Sequence, residues 1–112
     1  MRRLFGLPIA GVLGAVLLVA GVAAAADVQI PLTIDKNQFQ PAEVKVKANT
    51  PFVLVITNKN PKAAEFESKD LRVEKVVPAG KTVNVRIRAL KPGTYAFFDD
   101  FNQQTTGRIV AE

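Results

Sequence analysis

From Asp27 onward, turn signals recur at short and fairly regular intervals. They are Gln40-Pro41, Asn49-Thr50-Pro51, Asn58-Lys59-Asn60-Pro61, Pro78-Ala79-Gly80, Lys91-Pro92-Gly93 and Thr106-Gly107. Between them lie short runs rich in Val, Ile, Thr and Phe, and no segment shows the 3.6-residue periodicity of an amphipathic helix. Punctuation this close admits strands and excludes long helices, so the pattern predicts an all-β sandwich or barrel. Strands are expected at 28–34, 43–47, 52–58, 72–77, 82–88, 94–98 and 108–111. Seven such strands in a chain of this size predict a Greek-key β-sandwich.

The alternation also predicts which faces are buried. In Glu43-Val44-Lys45-Val46-Lys47 the valines face in and the charges out. Val83, Val85 and Ile87 form the apolar set of their strand, alternating with Asn84, Arg86 and Arg88. Phe52-Val53-Leu54-Val55-Ile56 is apolar on both faces, which predicts a central strand covered on both sides.

The preceding residues follow a different rule. Met1-Arg2-Arg3 is basic, residues 4–26 are overwhelmingly apolar, and the run closes on Ala24-Ala25-Ala26 before Asp27. This is the layout of a secretory signal peptide, with cleavage expected after Ala26 and a mature domain at 27–112. The alternative is a retained membrane anchor, because the run approaches the roughly 20 residues needed to span a bilayer. The switch to alternating polar sequence at Asp27 favours cleavage and a soluble mature form in the periplasm.

Composition narrows the chemistry. The chain has no Cys, no His and no Trp, and its one Met is Met1. No disulfide staples the domain, and nucleophilic triads in their usual forms are excluded. Residues 27–112 carry 13 basic and 10 acidic side chains, a net charge of +3. Lys45, Lys47, Arg86 and Arg88 read as polar strand faces. No aromatic interleaving of the kind used on single-stranded nucleic acid accompanies them, so no nucleic-acid partner is expected. A carboxylate pair would suit glycoside hydrolysis, but a domain of this size leaves little room for a sugar cleft.

Asp99 is the most pointed polar residue. By period two it shares a strand face with Tyr95 and Phe97, the natural inward residues, so its carboxylate is expected to point into one pole of the sandwich. A buried carboxylate requires a cation, hydrogen-bond donors or a proton. Two readings stay open: a metal ligand, or a cap that accepts backbone N–H groups of the following loop. Asp100 points the other way on an ideal strand. Glu65 and Glu67 share a face if their stretch is extended, as cation ligands or as a solvated acidic loop balanced by Lys62, Lys69 and Lys75. An EF-hand loop is absent, and carboxylates alone suit Ca²⁺, Mn²⁺, Mg²⁺ or iron rather than Cu(I) or zinc.

The final hairpin, Tyr95-Ala-Phe-Phe-Asp-Asp-Phe-Asn-Gln-Gln-Thr-Thr-Gly-Arg-Ile-Val110, resembles the last hairpin of the cupredoxins with its copper ligands replaced. Asp99 stands at the family's Cys position, Asn102 at the His position and Thr105 at the Met position. Phe39-x-Pro41-x-Glu43-Val44-x-Val46 resembles the family's second strand. The run Phe52–Ile56 leading to Asn58 resembles the strand before the loop that carries the first ligand, near Glu65 or Glu67. The resemblance implies a cupredoxin-like sandwich. Without thiolate and imidazole it implies no type 1 copper.

Glu65-Phe-Glu-Ser-x-Asp-Leu71 and Tyr95-x-Phe-Phe-Asp-Asp-Phe101 are also similar to small periplasmic cupredoxin-like proteins linked to ferrous-iron uptake, including the EfeO-type domain. Some of these carry a histidine after the last Phe, where this chain has Asn102. That resemblance implies iron as the ion, with Glu65, Glu67, Asp99 and Asp100 as the candidate ligand set. It further implies a partner, either a membrane iron-transport component or another periplasmic iron-binding protein. Ferrous oxidation or electron transfer is an activity such a site allows. The alternative is a metal-free interaction module that keeps the frame as a scaffold.

Overall fold

A computed structural model describes residues 27–112; the expected signal segment, 1–26, lies outside the described residues. Nine strands form two sheets that pack face to face. β1 (Val28–Asp35), β2 (Gln38–Gln40), β4 (Phe52–Asn58) and β7 (Thr82–Ile87) make a four-stranded sheet in the order β2-β1-β4-β7. β3 (Glu43–Val46), β5 (Ala64–Ser68), β6 (Val73–Val77), β8 (Gly93–Asp99) and β9 (Asn102–Ala111) make the other, in the order β3-β9-β8-β5-β6. The β1–β4 and β3–β9 pairs are parallel and the rest antiparallel. Among the described residues no helix is long and apolar enough to cross a membrane.

The sandwich is as the turn spacing predicts, with nine strands rather than seven. β2 is three residues long and contributes one buried side chain, Phe39. β5 places Ala64, Phe66 and Ser68 inward and Glu65 and Glu67 outward. Only one of its inward residues is a large hydrophobe, so the stretch lacks the usual strand signature. β4 is central in its sheet, as expected. Its inner face, Phe52, Leu54, Ile56 and Asn58, is fully buried, while Val53 and Val55 on the outer face are half-buried.

Three rings clamp the two sheets together. Phe39 of the four-stranded sheet meets Phe97 of the other edge-on, with centroids 4.8 Å apart and planes at 90°. Phe66 lies 5.1 Å from Phe97 and 6.4 Å from Phe39. The two perpendicular contacts of Phe39 are favoured by the ring quadrupoles, while Phe66 and Phe97 are tilted at 36°. Phe97 sits opposite Gly107 in the β8–β9 register. A Cβ added at Gly107 would lie 2.5 Å from two carbons of the Phe97 ring and 2.9 Å from the Ala42 carbonyl oxygen. That carbonyl is already fixed by Arg108 N–H at 2.9 Å, so neither neighbour yields easily. Gly107→Ala is expected to destabilise the domain by about 1–3 kcal/mol through overpacking. Phe97→Leu in the same chain should recover part of that loss, a coupling that a double-mutant cycle of urea melts measures.

Candidate metal centre

β5 and β8 run antiparallel and pair Phe66 with Asp99 and Glu67 with Phe98. Paired residues share a face, so Glu65 and Glu67 lie on the outer face of the five-stranded sheet. Asp100 follows the last residue of β8, and its N–H donates to the Glu65 carbonyl at 2.8 Å. That bond carries the ladder one residue further and brings Asp100 beside Glu65. Carboxylate oxygens of Glu65, Glu67 and Asp100 all lie within 4.8 Å of one another, and all three residues are half-buried. Glu74, opposite Glu67 on β6, adds a fourth negative charge to the same face.

Such crowding raises the cost of ionisation. Partial burial pushes the Glu65 carboxyl above its ordinary range. A hydrogen bond with Asp100 and the charges of Glu74, Asp100 and Glu67 act in the same direction. Glu67 is likewise raised, first by partial burial and then by the charges of Asp100 and Glu74, with Lys69 opposing. A carboxyl raised in the folded state contributes stability below its unfolded value, and that contribution is lost as pH rises through the folded value. At neutral pH the trio therefore carries mutual repulsion.

Asp99 is placed differently. It is 3% exposed, faces inward with Phe97, and is not part of the carboxylate trio. Its Oδ1 accepts the Glu65 N–H at 2.9 Å and the Phe101 N–H at 3.0 Å. One carboxylate oxygen thus ties β5 to the start of the β8–β9 turn, the hydrogen-bonding role anticipated for a loop cap. Thr105 is buried and donates its hydroxyl to the Asn37 carbonyl at 2.7 Å. Asn102 is half-buried on the wall of a cleft at this pole. The inward residue next to Glu65 is Ala64, which offers no donor atom.

The cleft has a volume of about 460 Å³ and is walled by Asp99, Asn102, the β1–β2 turn and the loop at residues 59–63. Two buried amides build those walls. The fully buried Asn58 donates from Nδ2 to the Lys62 and Val77 carbonyls, both at 2.9 Å, and accepts the Asn60 N–H at 2.9 Å. Asn60 in turn accepts the Asn37 N–H at 3.2 Å and donates to Asn37 Oδ1 at 3.1 Å. Lys36 and Asn37 both have positive φ, 52° and 59°, the conformation a two-residue hairpin turn requires. Asn58, Asn60 and Asn37 do not stand out by spacing alone. Their one sequence signal is the density of Asn at turn positions.

The chain belongs to the cupredoxin-like domain family, whose pattern it matches over residues 8–111. An uncharacterized protein of Rickettsia prowazekii (strain Madrid E) is 38% identical over 82 residues, 73% of this chain. The match spans 66% of that relative's length. The metal-binding domain of the Cu(I)-exporting P-type ATPase CopA of Streptococcus pneumoniae D39, solved with Cu(I), superposes with a TM-score of 0.67 at 11% identity, over 80% of this chain and 91% of that one. Auracyanin A, a blue copper protein of Chloroflexus aurantiacus, gives 0.65 at 14% identity, over 78% and 100% of the two chains. Amicyanin of Paracoccus versutus gives 0.59 at 16%, over 83% and 88%. These likenesses establish the fold.

The residues present do not fit a type 1 copper ion. That centre needs a thiolate and imidazoles, and the whole chain contains neither Cys nor His. At the corresponding positions, Asp99 Oδ1 is engaged by two backbone donors and the Thr105 hydroxyl by a carbonyl.

Proposed function

We propose that this protein is a metal-handling cupredoxin-fold protein of the periplasm, exported by residues 1–26, that holds a hard cation through Glu65, Glu67 and Asp100. The observation that carries this reading is the convergence of three half-buried carboxylates, two of them with raised pKa values, on one patch of a rigid sheet. Oxygen-only ligands suit hard ions such as iron, manganese or calcium. Iron is the ion favoured by the likeness of Glu65–Leu71 and Tyr95–Phe101 to the ferrous-uptake group, including its EfeO-type domain. Oxyanion ligands favour Fe³⁺ over Fe²⁺, so accessory work in iron uptake, with oxidation or handover to a membrane transport component or a second iron-binding protein, suits the site. Asp99 serves the site as a positioning residue, because its cap holds the backbone of Glu65 at the end of β8.

Anaerobic calorimetric titration with Fe²⁺, and parallel titration with Mn²⁺, tests the proposal. Glu65→Gln, Glu67→Gln and Asp100→Asn should each weaken binding at least about tenfold, the scale of ligand-shell losses. The apo-proteins should be as stable as the parent or more so, because a repelling charge has gone. Binding should fade as pH falls through the raised values of Glu65 and Glu67, since protons then compete for the same oxygens. Undetectable binding at millimolar ion and pH 7 would leave the other reading, a metal-free interaction module.

A further inference from the structure

The cleft at the pole carries a chemistry opposite to that of the carboxylate trio. Lys36, Lys59 and Lys62 line it, all three exposed. The ion pairs among the described residues join Arg86 to Asp27 and Arg108 to Glu43, so none of these ammonium groups is neutralised by a carboxylate. Two acidic residues, Asp35 and Asp99, share the wall, which leaves an excess of positive charge.

Asp99 adds a buried polar group to the same cleft. It is 3% exposed and lines the cleft, yet only Oδ1 takes hydrogen bonds among the described residues. An ionised carboxylate has about four acceptor positions. Oδ2 takes none among the described residues, and a buried carboxylate oxygen without a donor is costly. The walls are also preorganised. Asn58, Asn60 and Asn37 are hydrogen-bonded to one another or to backbone, and Thr105 holds the Asn37 carbonyl. A ligand therefore meets fixed walls and loses little to their ordering.

We propose that this cleft binds a small carboxylic acid bearing a hydroxyl or ammonium donor beside its carboxylate. The carboxylates of the ligand meet the lysines, and its donor meets Asp99 Oδ2. A plain inorganic anion would leave Asp99 unpaired and facing negative charge, and a plain cation would face three lysines. A ligand carrying both kinds of group satisfies both. At about 460 Å³ the cleft admits a molecule of this size. The ligand needs none of the three carboxylates on the outer face, although Asp99 also holds the backbone of Glu65.

Succinate, malate and aspartate share a four-carbon dicarboxylate frame and differ in carrying no donor, a hydroxyl or an ammonium. Each is titrated into the purified protein with chelator present and ionic strength fixed, followed by amide NMR shifts. Malate, aspartate or both should bind about tenfold tighter than succinate, the scale of a hydrogen bond to a charged group. The largest shifts should fall at Asn60, Asp99 and Asn102. Which of the two prevails identifies the donor. Lys59→Ala with Lys62→Ala should weaken all three ligands. Asp99→Asn retains an oxygen for the cap and places an amide donor where Oδ2 stood, so it should erase the preference over succinate. A thermal melt establishes that this variant is folded. Equal binding of all three acids, no binding at millimolar concentration, or shifts confined to another face would overturn the proposal, and the comparison on the unmodified protein decides this without any variant.

Discussion

Phe97→Ala is expected to remove a large share of the stability of this domain. Phe97 is 1% exposed and is the ring that both Phe39 and Phe66 touch, so it joins the four-stranded sheet to the five-stranded one. Truncating a buried aromatic costs about 3–5 kcal/mol, of which part is the cavity left behind. Domains of this size hold about 5–15 kcal/mol in total, and no disulfide limits the unfolded chain here. Relaxation into the gap is restricted because Gly107 has no side chain to move in and the other two rings are anchored on different sheets. Urea unfolding should show a midpoint lowered in proportion to that loss. An unfolding free energy within about 1 kcal/mol of the parent would contradict the central place given to Phe97.

Asn58→Ala should cost about 3 kcal/mol, although it removes little apolar contact. One side chain satisfies the carbonyls of Lys62 and Val77 and the N–H of Asn60. Each buried group left without a partner costs about 1–3 kcal/mol, less whatever water can recover. The loss should be local as well as global. Amide exchange at Lys59–Ala63 and at Asn37 should accelerate beyond what the fall in global stability explains, because the loop loses its internal anchor. Asn58→Asp is the informative control. It keeps the oxygen that accepts from Asn60 and presents a second oxygen to two carbonyls, so it should be at least as damaging as alanine.

Much of the sandwich is legible in the sequence because alternation and turns are short-range signals. Val44 with Val46, and Val85 with Ile87, are buried as their spacing predicts, and Asp99 follows Phe97 inward. β5 is not legible, because Ala64 and Ser68 fill inward positions that a pattern reader expects to be large and apolar. The candidate site is legible in its residue types and less so in its geometry. Period two puts Glu65 and Glu67 on one face and sets Asp100 opposite Asp99. Which face the glutamates take depends on the pairing of β5 with β8, thirty-odd residues away in sequence. Cross-strand register therefore separates Asp99 from the other three carboxylates. The amide cluster at the pole is set by contacts between Asn37 and Asn60, 23 residues apart, and no local pattern encodes it.

The place of β9 bears on how the chain reaches this structure. β9 is the last strand in sequence but lies inside its sheet, between β3 and β8, and pairs in parallel with residues some 65 positions earlier. Even Glu112 is stitched in, donating to the Val46 carbonyl and accepting from the Ala48 N–H. The five-stranded sheet cannot close until this segment is free to pair. Contacts of such separation make closure slow. A chain still being synthesised consequently keeps the rings of Phe66 and Phe97 uncovered, and during that interval it needs protection from its neighbours.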